Sequence, residues 1–234
     1  MQRIWAPPRS TRRNRRYAHR EPFKDQLMST PSIRLSTYKD PRPWSNLLKR
    51  LLWLCVQLPF WLRIPRVLNP IRIALLRLFG AQIGRRCLVG TARIWIPWNL
   101  RMAEFSAIGD GAEIYNLAPV QIGPNSVVSQ RSYLCTATHD YTKSDFPIYS
   151  LPIKIGASAW IAACAFIGPG INVGEGAVVG ACSVVTKDVP PWTVCAGNPC
   201  RVIKTRQLVE KNAVQREANE IEDRMLDRIA SGKT

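Results

Sequence analysis

The chain has 234 residues, 46% of them hydrophobic, and a formal net charge of +17. That length suits one sizeable core with appendages and leaves no room for two large domains. Residues 1 to 101 carry 21 Lys/Arg against 3 acids, whereas residues 102 to 198 carry 4 against 7, so the basic character is an N-terminal feature and a nucleic-acid-binding body is not expected.

Seven cysteines form an odd set without a C-x-x-C pair, and the only histidines are His19 and His139. Neither a disulfide framework nor a zinc site is predicted, and a reducing cytoplasm fits this usage.

In chain order, residues 1–43 are rich in Arg, Pro and Ser without hydrophobic periodicity and read as a disordered basic tail. Residues 44–80 read as a helical segment. Ser45 is placed as the N-cap of a helix running to about Leu58, with Leu48, Leu51, Leu52 and Cys55 on one side. The apolar run "LLWLCVQLPFWL", residues 51–62, is broken by Pro59 and is short for a membrane span; it suits a core helix or an interfacial segment. A second helix is predicted with Asn69 as cap, Pro70 in its first position and Gly80 as its stop after "IRIALLRLF".

From Ile83 the pattern becomes a six-residue repeat. The clearest run is "IGASAW", "IAACAF", "IGPGIN", "VGEGAV", "VGACSV", "VTKDVP", starting at Ile155, Ile161, Ile167, Val173, Val179 and Val185. The same register occurs at Met102, Ile108 and Ile114 and again at Ile122, Val128 and Leu134, and the fifth position is mostly small. An aliphatic residue every six points into a narrow prism, a small residue fits where space is tight, and glycine is expected to turn the corners. The spacing therefore predicts an all-β fold, a parallel β-helix over residues 81–204 with three hexads per coil. Twenty-one residues separate Leu134 from Ile155, which predicts a loop insertion at 139–152 leaving the prism directly after Thr138. Residues 205–234 read as a C-terminal helix with Ile221, Met225 and Ile229 as a thin apolar line.

The segments "IYNLAPVQIG", "TATHDYTKSDFP" and "WIAACAFIGPGINVGEGAVVGACSVVTKDVPPWTVCAGNPCRVIK" resemble the hexapeptide-repeat O-acetyltransferases, over about residues 45–205. The likeness is greatest to the colanic acid biosynthesis acetyltransferases, and it extends to the maltose, galactoside and nodulation-factor enzymes. It implies a left-handed β-helix, against the usual right-handed crossover, and a homotrimer with acetyl-CoA between neighbouring prisms. It implies His139 as the catalytic histidine and Asn116 as an acceptor-holding residue. For acetyl-CoA it implies Trp160, Thr186, Lys187 and Arg201. Lys204, a further cation at the end of the prism, is a candidate phosphate contact beside them on its position alone. Ala162 stands where the family usually has glycine.

Acetyl transfer to a sugar hydroxyl needs a base, because an alcohol is a poor nucleophile until its proton is being removed; free imidazole, titrating near about 6.5, suits the task. His139 is the expected general base. Cys135 is the candidate for a covalent route, disfavoured because it lies within a repeat unit. Asp140 adjoins His139, but successive side chains on a strand point apart. A main-chain carbonyl, or Glu113 from a neighbouring coil, is left to orient the ring, and Asn116 or a main-chain N–H to hold the oxyanion.

A zinc hydratase on such a scaffold needs three histidines, and a nucleotidyltransferase needs a further Gly-rich domain; neither fits this chain. The run "RSTRRNRR" followed by Trp-rich apolar segments suits an anionic lipid surface, so peripheral contact with the inner face of the cytoplasmic membrane through residues 1–62 is expected. The acceptor is expected to be a saccharide of exopolysaccharide or surface polysaccharide assembly.

Overall fold

A computed structural model describes residues 33–38, 46–57, 61 and 64–209. Most of the predicted tail, Ser45, and the line Ile221, Met225 and Ile229 lie outside the described residues. Of the predicted C-terminal helix only residues 205–209 are described: Thr205 ends a strand, Arg201–Thr205, and no helix begins by residue 209.

The body is a left-handed parallel β-helix with three flat sheets. The first sheet stacks Gln82–Ile83, Leu100–Met102, Val120–Ile122, Ile153–Ile155 and Asn172–Val173. The second runs from Leu88–Val89 through Ala107–Ile108, Val127–Val128, Trp160–Ile161 and Val178–Val179 to Thr193–Ala196. The third stacks Arg93–Ile94, Glu113–Tyr115, Tyr133–Cys135, Phe166–Ile167 and Val184–Val185.

The hexad register is the ladder register. Met102, Ile122, Ile155 and Val173 stand opposite one another in the first sheet. Ile108, Val128, Ile161 and Val179 do so in the second. Ile114, Leu134, Ile167 and Val185 do so in the third. None of these first-position residues is more than 3% exposed, and each contributes about 1.5 to 3 kcal/mol of burial. Ile83, Val89 and Ile94 add one coil below them. Buried serines at fifth positions are satisfied by carbonyls, as Ser126 Oγ donates to Gly156 O at 2.6 Å and Ser132 Oγ to Ala162 O at 2.9 Å.

Glycine works differently from the expectation. Left-handed backbone at the corners falls largely on other residues, among them Asn125, Ser158, Cys164 and Cys182. The second-position glycines are needed for space: a Cβ on Gly156 would lie 2.6 Å from the main-chain N of Glu175 in the next coil.

Helices α1 (Leu47–Gln57) and α2 (Asn69–Leu78) cap the first coil. Its carbonyls, which lack a coil beneath, accept from side chains of this region. Trp53 Nε1 and Gln57 Nε2 donate to Ile94 O at 2.6 and 3.0 Å, and Trp61 Nε1 to Ala92 O at 2.7 Å. Arg72 donates to Val89 O, and Arg77 to Ile83 O and Gly84 O. The N-cap of α2 is Leu68, one residue before the predicted Asn69. Asn69 is spent instead on the prism, donating to Cys87 O and accepting from Val89 N–H, both at 2.9 Å. Gly80 does end α2: at φ +91° it donates to Arg77 O while Ala81 donates to Leu76 O, the two reciprocal bonds of a left-handed C-cap.

The insertion begins earlier than its spacing suggests. Ala137–His139 pairs antiparallel with Ile148–Ser150, so the chain leaves the prism after Thr136 and returns at Leu151, whose N–H donates to Thr136 O. Thr138 is therefore a half-buried hairpin residue opposite Tyr149, not a wall residue of the prism.

Candidate active site

His139 ends the first strand of this hairpin, opposite Ile148, and is half-buried. Its Nδ1 lies 2.8 Å from the carbonyl oxygen of Phe146. A carbonyl can only accept, so Nδ1 carries a proton, and in the neutral tautomer this contact selects, Nε2 is the nitrogen with the free lone pair. The imidazole also stacks on the Phe146 ring, centroids 4.4 Å apart and planes 10° apart. Tyr38 stands on another side at 6.2 Å, brought there by a segment whose Arg34 N–H donates to Ser144 O of the insertion.

The other groups considered as orienters are engaged elsewhere. Asp140 accepts from the N–H and hydroxyl of Thr142 and pairs with Lys143 at 3.4 Å, contacts that hold its carboxyl below the ordinary range. Glu113 accepts from Trp95 Nε1 at 3.0 Å and faces Arg93 at 4.0 Å. Cys135 is buried in the wall, its thiol donating to Ala137 O at 3.2 Å. Beside it, burial and then the neighbouring Cys135, Glu113 and Tyr115 push the Tyr133 phenol well up, so it stays a neutral donor.

Asn116 is fully buried. Its Oδ1 accepts from Ile96 N–H at 2.9 Å and its Nδ2 donates to Ile96 O at 2.7 Å, bridging two coils. Both ends of the amide are thus occupied within the fold.

Trp160 is 46% exposed, and its Nε1 donates to Ser129 Oγ at 2.9 Å. It shares an outward row on the second sheet with Val178, Val194 and the exposed Lys204. Arg201 is exposed at the start of the final strand. Thr186 and Lys187 are exposed on the turn after Val184–Val185, where the third sheet passes back to the first. The insertion carrying His139 leaves from that same corner, two coils below. In a three-sided prism this corner lies across from the second sheet, so one chain brings His139 and Lys187 to one edge and puts Trp160 and Lys204 on the opposite face. Phe146 and Tyr38, which flank the imidazole, carry no spacing signal in the sequence. Among the described residues no group of three or more His, Cys, Asp or Glu could hold a metal ion.

The six-residue repeat folded as a prism points to a class, and the chain belongs to it: the hexapeptide-repeat acetyltransferases. The relative behind that statement is the protein named colanic acid biosynthesis acetyltransferase WcaF from Escherichia coli (strain K12), 41% identical over 175 residues, 74% of this chain and 96% of the relative. A solved maltose O-acetyltransferase from Clostridium difficile 630 superposes with a TM-score of 0.64 at 29% identity, covering 71% of this chain and 90% of that one. A galactoside acetyltransferase solved in complex with coenzyme A superposes with a TM-score of 0.65 at 26% identity, covering 74% and 90%. No family model matches the chain.

Proposed function

We propose that the chain transfers the acetyl group of acetyl-CoA to a saccharide hydroxyl, with His139 as general base, in the assembly of an exopolysaccharide or surface polysaccharide. The carrying observation is the Nδ1 contact of His139 with Phe146 O, which leaves Nε2 as the basic atom. The acceptor hydroxyl gives its proton to Nε2 as its oxygen attacks the thioester carbonyl. Collapse of the tetrahedral intermediate expels the CoA sulfur, which takes the proton back from Nε2. The WcaF name supports the polysaccharide setting, and the coenzyme A complex of the galactoside enzyme supports the donor.

Lys187 and Arg201 are read as the phosphate contacts of CoA, with Thr186 and Lys204 beside them and Trp160 against the thioester arm. One prism separates the His139 corner from the Trp160 face, so the site closes between copies, as a homotrimer. The outward row of the second sheet supports this packing: Leu88, Ala107, Val127, Trp160, Val178 and Val194 are all apolar. The matching row of the first sheet, Gln82, Arg101, Gln121, Lys154 and Asn172, is polar throughout. The deciding assay mixes purified protein, acetyl-CoA and saccharide acceptors and follows thiol release. His139→Ala is expected to lose on the order of 10²- to 10⁴-fold in rate; a variant retaining most of the rate would sink the base assignment.

Peripheral membrane contact is part of the same reading. On α1, Leu47, Leu48, Leu51, Leu52 and Leu54 are exposed and stand beside Lys49 and Arg50. That pairing of apolar and basic side chains suits an anionic lipid surface. Among the described residues no helix is long and apolar enough to cross a membrane. Flotation with anionic vesicles should carry the full chain and leave behind a Leu48→Glu, Leu51→Glu variant, which alters exposed side chains of α1 and keeps the buried Trp53, Gln57 and Trp61 contacts.

A further inference from the structure

The second and third sheets meet at a corner whose tight turns stack coil upon coil. From the second coil upward one residue of each turn is left-handed: Gly111 at φ +67°, Arg131 at +56°, Cys164 at +59° and Cys182 at +57°. Hydrogen bonds lock them into one column. Arg131 N–H donates to Asp110 O at 3.0 Å, Cys164 N–H to Gln130 O at 3.1 Å and Cys182 N–H to Ala163 O at 2.9 Å. The flanking ladders hold the same register, with Ile161 opposite Val179 and Ile167 opposite Val185.

Cys164 and Cys182 are therefore equivalent residues of consecutive coils with matching backbone. Their Cα atoms are one ladder step apart, about 4.7 to 4.9 Å. That falls inside the Cα range that a disulfide spans, about 4.4 to 6.8 Å. Because matching backbones set the Cβ atoms the same step apart, closure draws these together by a few tenths of an ångström, into the range of about 3.5 to 4.5 Å. Both thiols are free and exposed, whereas Cys87, Cys135 and Cys195 are buried. Burial, together with Cys200 beside it, pushes the Cys195 thiol up to about 12, which keeps that group inert.

We propose that Cys164 and Cys182 form a cross-coil dithiol, a modification site that closes to an intramolecular disulfide by exchange with a small-molecule disulfide. One thiolate attacks glutathione disulfide, giving a mixed disulfide and releasing one glutathione. The second thiolate attacks the protein sulfur of that mixed disulfide and releases the second glutathione. The protein gives up two electrons and two protons; the oxidant becomes two thiols. The new bond joins the coil bearing Trp160 to the coil bearing Thr186 and Lys187.

The test uses the full chain, incubated with glutathione disulfide, blocked with N-ethylmaleimide and digested with trypsin and an endoproteinase cutting after glutamate. No Lys or Arg lies between Ile155 and Lys187, and Glu175 separates the cysteines, so the disulfide holds fragments 155–175 and 176–187 together. The expected result is that linked pair, within single chains, split by reductant. Cys164→Ser and Cys182→Ser should each replace it with one glutathionylated cysteine, circular dichroism being unchanged. The proposal is overturned if the two cysteines are labelled separately without the linked pair, if they resist both reagents, or if the linkage runs between chains on a non-reducing gel.

Discussion

The imidazole of His139 rests against Phe146 twice, by its Nδ1 at 2.8 Å from the carbonyl oxygen and by its ring at 4.4 Å from the phenyl ring. The hydrogen bond belongs to the main chain and the stacking to the side chain, so the two can be separated. Phe146→Ala keeps the acceptor and removes the stack, worth about 0.5 to 1.5 kcal/mol. We expect kcat to fall by roughly tenfold at most, with little change in KM for acetyl-CoA. A loss as large as that of His139→Ala would mean that the side chain, rather than the carbonyl, fixes the base.

Asn116 offers a test between a binding and a structural role. Asn116→Ala orphans the N–H of Ile96, at about 1 to 3 kcal/mol when buried, while Ile96 O keeps the bond from Asn99 N–H. A clearly lowered Tm is expected. If the variant melts like the parent but loses kcat/KM for the acceptor, the amide is turned toward substrate after all.

Substitution of Gly156 probes the spacing of the coils. Its added Cβ would meet Glu175 N at 2.6 Å, so Gly156→Ala should cost about 1 to 3 kcal/mol in denaturant unfolding. A neutral result would show that adjacent coils can part locally.

The charges assigned to CoA should behave as surface groups in folding and as contacts in binding. Lys187→Ala and Arg201→Ala each remove an exposed cation worth about 1 kcal/mol to an anionic partner, or roughly fivefold in Kd. Calorimetry with acetyl-CoA should show that loss alongside an unchanged Tm. Unaltered affinity in both variants would return these residues to plain surface charge.

Asp140 supplies a pH dependence local to the insertion. Thr142 and Lys143 hold its carboxyl below 3.8, so its contribution is complete above that value and is lost as pH falls through the lowered folded value. Exchange protection of the Thr142 amide should hold near neutrality and vanish in that acidic window. Protection that survives full protonation would place the turn's stability elsewhere.

The hexads could be read because each coil repeats one physical problem, filling a narrow interior, and every solution puts the same residue type at the same place. Ile161 and Leu134 were legible for that reason. The insertion was legible only as a gap in spacing. Nothing periodic marks Ala137 and Ser150 as partners, so the spacing puts the departure of the chain two residues late. His139 could be found as the single histidine of a resembling motif. Its contact with Phe146 could not, since it depends on how a seven-residue excursion turns back on itself. Asn116 shows the converse: a residue type suited to substrate binding also suits bridging two coils, and only burial tells them apart.

A stack of identical ladders has no intrinsic reason to stop, because each finished coil exposes a row of N–H and C=O groups ready to template another. Open β-edges of this kind are where chains join into fibres. At the lower end Trp53, Gln57, Trp61, Asn69, Arg72 and Arg77 occupy the carbonyls of the first coil one by one. At the upper end Arg201–Thr205 folds back antiparallel on Thr193–Ala196 and reverses the polarity that a further coil would need. The protein's finite length is thus written into its two ends, and the helices that look like an appendage serve as the plug against polymerisation.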